Sequence, residues 1–215
     1  MSDTSTVVTP EYFQYVANHT ACEDEFLEEL KAAAAAAGMP PIWIAPEQAS
    51  LMQILLRAAR VRDVVEVGTL AGYSAIAMAR ALPPDGQVRT IELDPARVAF
   101  ARAWVTRSDV VGKVEILQGA GAEVLATFAD DSTDAAFVDA DKPSYPLYLK
   151  ECLRIVRRGG LIMADNAFAF GRLFEENADS DVQAVRDFND LMAKTPEVQS
   201  VIVPIGDGLW VGVRR

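Results

Sequence analysis

The sequence predicts an α/β protein: a doubly wound, mostly parallel sheet of seven strands, covered by helices on both faces and finished by an antiparallel C-terminal hairpin. Three observations predict this class. Strand-like apolar runs alternate with helical patterns from residue 63 onward. A glycine-containing turn, 68–72, leads the first strand directly into a helix. Near the end, a G-D-G turn at 206–208 joins two strand-like runs, which indicates a hairpin.

Hydrophobic periodicity and helix start and stop signals place the individual elements. Helices are predicted at residues 11–19, 23–37, 47–60, 73–82, 95–108, 122–128, 145–156 and 180–194. Strands are predicted at residues 63–67, 87–93, 114–118, 135–139, 160–165, 198–204 and 209–213. We therefore expect one domain, residues 1–215, with an N-terminal helical cap, 1–45, and a cofactor-binding core, 46–215.

Composition narrows the possible functions. The 215 residues are 51% hydrophobic, enough for one domain with a full core, and the net charge of -11 argues against binding to a phosphate backbone. No apolar run is long enough to span a membrane, and Met1 to Pro10 lacks the regions of a signal peptide. Cys22 and Cys152 lack metal or redox spacing. We expect a cytoplasmic protein with no nucleic-acid or membrane partner.

The stretch V-V-E-V-G-T-L-A-G-Y-S at 64–74 has the strand-turn-helix order of a nucleotide-type site. A dinucleotide fingerprint has three crowded glycines, whereas this stretch has only Gly68 and Gly72, preceded by Glu66. A carboxylate at the strand end repels a pyrophosphate and suits a cation. S-adenosylmethionine carries a sulfonium and an ammonium, so it matches better than NAD. The alternative is an ordinary buried strand followed by a glycine turn.

The next two strands end in further candidate cofactor residues. Glu92 ends the second strand, 24 residues after Gly68, where a carboxylate can accept both ribose hydroxyls. Asp94 is better explained as the cap of the following helix. After the third strand, the small residues Gly121 and Ala122 leave room for the adenine ring. The alternatives are that Glu92 and Asp94 are surface acids at a strand end with no ligand, and that Gly121 and Ala122 only form a flexible turn.

The fourth strand ends in Asp139, and the fifth ends in Asp165 and Asn166. Because ligands of open α/β sheets gather at the carboxyl ends of strands, these side chains should meet in one crevice. Two carboxylates and one amide oxygen favour magnesium, or manganese or calcium in its place, over zinc. Lys142 lies within reach, and a nearby dication and sulfonium would disfavour its ammonium form, so that it could act as a base. The alternatives are helix-capping acids and a surface lysine.

Together these residues resemble the cation-dependent small-molecule O-methyltransferases of the caffeoyl-CoA and catechol type. The shared blocks are E-V-G-T-x-x-G-Y-S at 66–74, I-E-L-D-P at 91–95, F-V-D-A-D-K-x-x-Y at 137–145, G-G-L-I-x-A-D-N at 159–166 and P-I-G-D-G-L at 204–209. They cover the chain from about Pro46 to its end. The resemblance implies a Rossmann-like S-adenosylmethionine-dependent methyltransferase fold, a homodimer and a vicinal dihydroxyphenyl acceptor.

The resemblance also implies roles for individual residues. Asp139, Asp165 and Asn166 would be the metal ligands, and Lys142 the base, with Asp139 taking part in catalysis. Glu66, Gly68, Ser74 and Glu92 would contact the cofactor, with Ala140 close by. With Thr69, Asp139 and the small residues Gly121 and Ala122, they make up the predicted cofactor-binding positions.

Two departures from the family pattern bear on these roles. Ala120 stands where an acid or proline is usual, so the adenine contacts that the resemblance implies do not carry over to this position. The sequence A-F-A-F at 167–170 replaces a common Val-Leu-Trp, so the identity of the acceptor does not follow from the resemblance. We expect the acceptor pocket to be built from the N-terminal helices, from residues near Trp43, from Phe168 and Phe170, and from the partner subunit. A nicotinamide-dependent oxidoreductase and a non-catalytic S-adenosylmethionine-binding module are the alternative functions.

Overall fold

The computed structural model describes residues 8–20 and 23–215. Most of the segment from Met1 to Pro10, and Cys22, therefore lie outside the described part. Within it, the α-helices are α1 (Pro10–His19), α2 (Glu25–Ala36), α3 (Pro46–Ala58), α4 (Tyr73–Ala79), α5 (Pro95–Arg107), α6 (Gly121–Leu125), α7 (Tyr145–Ile155) and α8 (Ser180–Lys194). The strands are β1 (Asp63–Val67), β2 (Gln87–Glu92), β3 (Val114–Gln118), β4 (Thr133–Val138), β5 (Val156–Ala164), β6 (Val198–Val203) and β7 (Leu209–Arg214).

These strands form one seven-stranded sheet in the order β3-β2-β1-β4-β5-β7-β6. Strands β1 to β5 are parallel, whereas β7 runs antiparallel to both β5 and β6. The predicted fold class and its antiparallel C-terminal hairpin are therefore confirmed. Strand order reverses between β1 and β4, and the register pairs Val67 with both Ile91 and Val138. The carboxyl ends of the central strands consequently form one edge, where ligands of such sheets bind.

The sheet separates two hydrophobic cores because successive side chains on a strand point to opposite faces. Val64 of β1 belongs to the core shared with α2, α3, α4 and α5, whereas its neighbour Val65 belongs to the core shared with α6, α7 and α8. Both side chains are fully buried. This double coverage explains why the central strands read as nearly continuous apolar runs rather than as alternating ones.

Several element boundaries differ from the predictions, and one element was not predicted. Strand β5 begins at Val156 rather than at residue 160, because its pairing with β4 is irregular between Thr133 and Ala135 and includes residues before the glycine pair. Helix α6 is a short helix starting at Gly121. A 3-10 helix, Lys142–Ser144, precedes α7 and was not predicted. Among the described residues, no helix has the length and apolar content needed to cross a bilayer.

Candidate active site

The carboxyl ends of β1, β2, β4 and β5 border a cavity of about 640 Å³ at the point where the strand order reverses. Most of the predicted site residues line this cavity: Gly68, Thr69, Ser74, Glu92, Gly121, Ala122, Asp139, Ala140, Lys142 and Asn166. The other two, Glu66 and Asp165, are buried behind its wall. The sheet thus brings the predicted cofactor residues and the predicted metal ligands to one place.

Gly68 is required by the packing of two strand ends. Its φ is +102°, and a Cβ atom added to it would lie 1.9 Å from the carbonyl oxygen of Asp139. No other residue fits this close approach of the chain after β1 to the chain after β4. The glycine therefore brings Asp139 next to the turn, in addition to leaving room for a ligand.

The carboxylate of Glu92 is held at the edge of the cavity by two main-chain donors. The amide nitrogen of Leu70, in the glycine turn, donates to Oε2 at 2.9 Å, and that of Asp94 donates to Oε1 at 3.0 Å. Asp94 itself accepts from Ala96 N at 2.7 Å and caps α5, as predicted. A carboxylate fixed in this way can receive hydroxyl donors from a ligand without rearrangement.

Glu66 lies directly beneath the glycine turn and is fully buried. Ser74 donates its hydroxyl proton to Oε1, whereas Oε2 has no hydrogen-bond partner among the described residues. Burial raises the pKa of Glu66 to about 8, although the hydrogen bond from Ser74 lowers it, and the charges of Asp139 and Glu92 raise it further. This carboxyl is consequently protonated at neutral pH in the absence of a nearby cation.

Two of the three predicted metal-ligand side chains, Asp139 and Asn166, contact the ammonium group of Lys142. Its Nζ lies 2.6 Å from Asn166 Oδ1 and 3.3 Å from Asp139 Oδ1, and it also donates to Tyr145 Oη at 2.7 Å. Tyr145 is fully buried, and burial raises its pKa well above the ordinary value. The tyrosine hydroxyl is therefore a neutral partner that fixes the position of the lysine.

Asp165 lies next to this group and is buried. Burial raises its pKa and that of Asp139, and the negative charge of Asp139 raises the pKa of Asp165 further. Gln48, on α3, donates its amide nitrogen to Asp165 Oδ1 at 2.7 Å. The donor set consists of the carboxylates of Asp139 and Asp165, which repel each other, and the side-chain oxygen of Asn166, which already faces the Lys142 ammonium group. Such a set of oxygen donors fits a hard divalent ion. Within the described residues, no cluster contains three or more Asp, Glu, His or Cys side chains arranged for a metal.

The wall opposite the sheet contains some of the predicted acceptor-pocket residues. Ile42, Trp43 and Ile44, which follow α2, line the cavity together with Phe170. Phe168 does not line it, because its ring packs against Gly208 of the C-terminal hairpin, where a Cβ would lie 2.9 Å from the ring. The prediction for Phe168 is therefore wrong.

Three residues that contact the predicted site residues received no role from the sequence: Gln48, Tyr145 and Asp207, whose Oδ2 accepts a hydrogen bond from Asn166 Nδ2 at 3.0 Å. Tyr145 and Asp207 stand inside motifs quoted above, so their positions carried a signal that could have been used. Gln48 had none, because it lies 117 residues from Asp165 in the chain, in an ordinary amphipathic helix.

Comparison with known proteins agrees with this fold. The profile of the O-methyltransferase family matches residues 17–215. A catechol O-methyltransferase of Niastella koreensis is 36% identical over 205 residues, which cover 94% of this chain and 90% of that protein. A catechol O-methyltransferase of Mycobacterium tuberculosis is 33% identical over 191 residues, 88% of this chain and 87% of that protein. The crystal structure of an O-methyltransferase from Bacillus cereus in complex with SAH has a TM-score of 0.85 and 30% identity, covering 95% and 97% of the two chains.

The chain is thus an α/β transferase with a ligand cavity at the carboxyl edge of its sheet. It belongs to the O-methyltransferase family, in agreement with the resemblance to the cation-dependent caffeoyl-CoA and catechol type. The enzyme class is an O-methyltransferase. Neither alternative, a nicotinamide-dependent oxidoreductase or a non-catalytic module, agrees with this family.

Proposed function

We propose that this enzyme transfers the methyl group of S-adenosylmethionine to one oxygen of a vicinal dihydroxyphenyl acceptor and that it requires a divalent cation. The observation that carries the proposal is the convergence of Asp139, Asn166 and Lys142 on one point beside the glycine turn. The proposal extends to the roles of the individual residues, to magnesium as the cation and to a homodimer.

Three features support S-adenosylmethionine as the cofactor. The similar Bacillus cereus O-methyltransferase was crystallised with SAH, the demethylated product of this cofactor. Glu92 is held ready to accept the ribose hydroxyls, and the small residues Gly121 and Ala122 border the same cavity. The buried, unpaired Oε2 of Glu66 lies below the turn, where a cationic ligand would favour its ionised form. Thr69, Ser74 and Ala140 complete the cavity wall on this side.

Asp139, Asp165 and Asn166 would hold the cation, and their oxygen donors suit magnesium, manganese or calcium. When bound, such an ion would supply Lewis acidity that lowers the pKa of a phenolic hydroxyl group of the acceptor. The chain's own contribution is position and charge. The edge formed by β4 and β5 keeps the acceptor beside the cofactor cavity, and Trp43 and Phe170 offer apolar surface for an aromatic ring.

Lys142 would take the proton from the reacting phenol. Its Nζ is already directed into the site by Tyr145 and Asn166, and its side chain is buried. A divalent cation bound beside Lys142 would disfavour the ammonium form of its side chain and leave the neutral amine free to act as a base. The reaction then needs no other acid or base, because the sulfonium is the electrophile and the neutral thioether is the leaving group.

Substitution of a single ligand tests the metal role. Asp139→Ala should lower methyl transfer to catechol by at least about 100-fold, because both cation binding and the placement of Lys142 are lost. The affinity for S-adenosylhomocysteine, measured by calorimetry, should change little. Asp190→Ala, which removes an exposed carboxylate on α8, is the matched control. Full activity of the wild type in excess chelator would contradict the proposed metal dependence.

The catechol O-methyltransferases among the relatives support a catechol-like acceptor. Incubation with labelled S-adenosylmethionine and magnesium should give methylation of catechols, and none of phenols with a single hydroxyl group. Equal rates on both kinds of phenol would contradict an acceptor held through two oxygens.

A homodimer is supported by the surface of α1. This helix buries none of its residues within the chain, and Tyr12, Tyr15 and Val16 are exposed on it. Light scattering at micromolar concentration tests the dimer, and a monomeric mass would contradict it.

The proposed domain division depends on the N-terminal helices. Residues 1–45 would cap the core 46–215, and Leu27 and Leu30 of α2 share the hydrophobic core that covers one face of the sheet.

A further inference from the structure

The side-chain amide of Asn166 lies between a cation and an anion. Its Oδ1 accepts a hydrogen bond from Lys142 Nζ at 2.6 Å, and its Nδ2 donates to Asp207 Oδ2 at 3.0 Å. An ammonium group can only donate, and an ionised carboxylate can only accept. Only one orientation of the amide therefore satisfies both neighbours, and in that orientation the oxygen faces the catalytic cavity.

Asp207 is itself fixed by the segment that it contacts. The same Oδ2 atom accepts from the amide nitrogen of Phe170 at 2.7 Å, and the main-chain oxygen of Asp207 accepts from Phe168 N at 2.9 Å. Asn166 and Phe170 both have positive φ, which is uncommon for residues other than glycine. The turn between β6 and β7 thus holds an unusual main-chain conformation immediately after the proposed metal ligands.

A further contact joins this turn to the other proposed ligand. Gly206 has a φ of +55°, and a Cβ on it would lie 2.2 Å from Gln48 Oε1. The opposite end of the same amide, Gln48 Nε2, donates to Asp165 Oδ1 at 2.7 Å. The turn of the C-terminal hairpin thus supplies the hydrogen-bond partner of Asn166, which is Asp207, and lies against the partner of Asp165, which is Gln48.

We propose that Asp207 is a positioning residue that orients the Asn166 amide, so that its oxygen and not its nitrogen is presented to the divalent cation. This inference rests on the proposed function, because it concerns the same cation. An amide turned by 180° would present N–H donors, which cannot bind a metal ion. Removing the carboxylate of Asp207 removes the group that keeps the nitrogen away from the site. Loss of such a partner of a metal ligand typically lowers metal affinity by about 10–100-fold.

Titration of the full-length enzyme with Mn²⁺, followed by the loss of the free-ion electron paramagnetic resonance signal, tests the inference directly. Asp207→Ala should weaken Mn²⁺ binding by about 10–100-fold. Asp207→Asn should restore most of the affinity, because its carbonyl oxygen can accept both N–H groups. The matched control is Asp190→Ala, which removes an exposed carboxylate of α8 whose only ion-pair partner among the described residues is Lys194 and which does not line the cavity. It should bind Mn²⁺ as the wild type does.

The affinity for S-adenosylhomocysteine separates orientation from general damage. It should be unchanged in Asp207→Ala, because Asp207 does not line the cavity. Wild-type Mn²⁺ affinity in Asp207→Ala would overturn the inference, as would equal losses in Asp207→Ala and Asp207→Asn or a comparable loss of S-adenosylhomocysteine affinity. A wild-type enzyme that binds no Mn²⁺ would instead overturn the proposed metal role, together with the inference that rests on it.

Discussion

Replacement of Glu66 by glutamine tests the physical state of the buried carboxyl beneath the glycine turn. Glu66 is fully buried, with one oxygen paired to Ser74 and the other unpaired. Burial raises its pKa from 4.5 to about 8. Glutamine has nearly the same shape, can still accept from Ser74 and carries no charge at any pH. The substitution therefore isolates the cost of ionising this group inside the folded protein.

The size and sign of the effect follow from linkage between protonation and folding. Below pH 4.5 the carboxyl is protonated in both states and has no influence on the free energy of unfolding. Between pH 4.5 and about 8 the unfolded chain ionises while the folded protein keeps its proton, so wild-type stability falls as the pH rises. Each pKa unit corresponds to about 1.4 kcal/mol, which gives a total loss of about 5 kcal/mol once the pH exceeds 8.

Urea denaturation of wild type and Glu66→Gln at several pH values from 5 to 9 measures this difference. We expect the glutamine variant to gain stability relative to the wild type as the pH rises, by a few kcal/mol at pH 9. Ionisable groups distant from Glu66 contribute equally to both proteins and cancel, whereas the effects of Asp139 and Glu92 on Glu66 are part of the measured difference. Stability profiles that run parallel across this range would refute a raised pKa for Glu66.

Three further substitutions test the local reasoning. Gly68→Ala should destabilise the fold by more than about 3 kcal/mol in urea denaturation, since its φ is +102° and a Cβ would overlap the Asp139 carbonyl; near-wild-type stability would contradict the close approach. Glu92→Ala should weaken S-adenosylhomocysteine binding by at least about tenfold in calorimetry, and an unchanged Kd would exclude it as the ribose ligand. Asp94→Ala should cost about 1 kcal/mol through loss of the α5 cap without altering that Kd, so a large loss of binding would assign it a ligand role instead.

The sheet and the residues at its edge could be predicted because they depend on local patterns. Buried parallel strands read as short apolar runs, and the residue after each run must lie at the same edge as its neighbours. That rule alone brings Asp139 and Asn166 together, and the structure brings both to within hydrogen-bond distance of Lys142. The helix cap at Asp94 was predictable for the same reason, since capping involves residues two or three positions apart.

The residues that surround the site could not be predicted in this way. Gln48 meets Asp165 only because α3 packs at the carboxyl edge, a long-range contact with no local sequence signal. Phe168 was expected in the acceptor pocket as an aromatic residue near the ligands. The positive φ values at Asn166 and Ala169 turn the chain so that Phe168 packs on the C-terminal hairpin and Phe170 lines the cavity. Single-residue changes in main-chain direction of this kind do not follow from periodicity.

Anomalous diffraction from crystals grown with Mn²⁺ and S-adenosylhomocysteine tests the proposed metal site most directly. We expect a manganese peak within about 2.0–2.6 Å of side-chain oxygens of Asp139, Asp165 and Asn166, with the ammonium group of Lys142 displaced from its position between Asp139 and Asn166. A peak at another location, or no peak at saturating Mn²⁺, would contradict a metal-dependent reaction at this edge of the sheet.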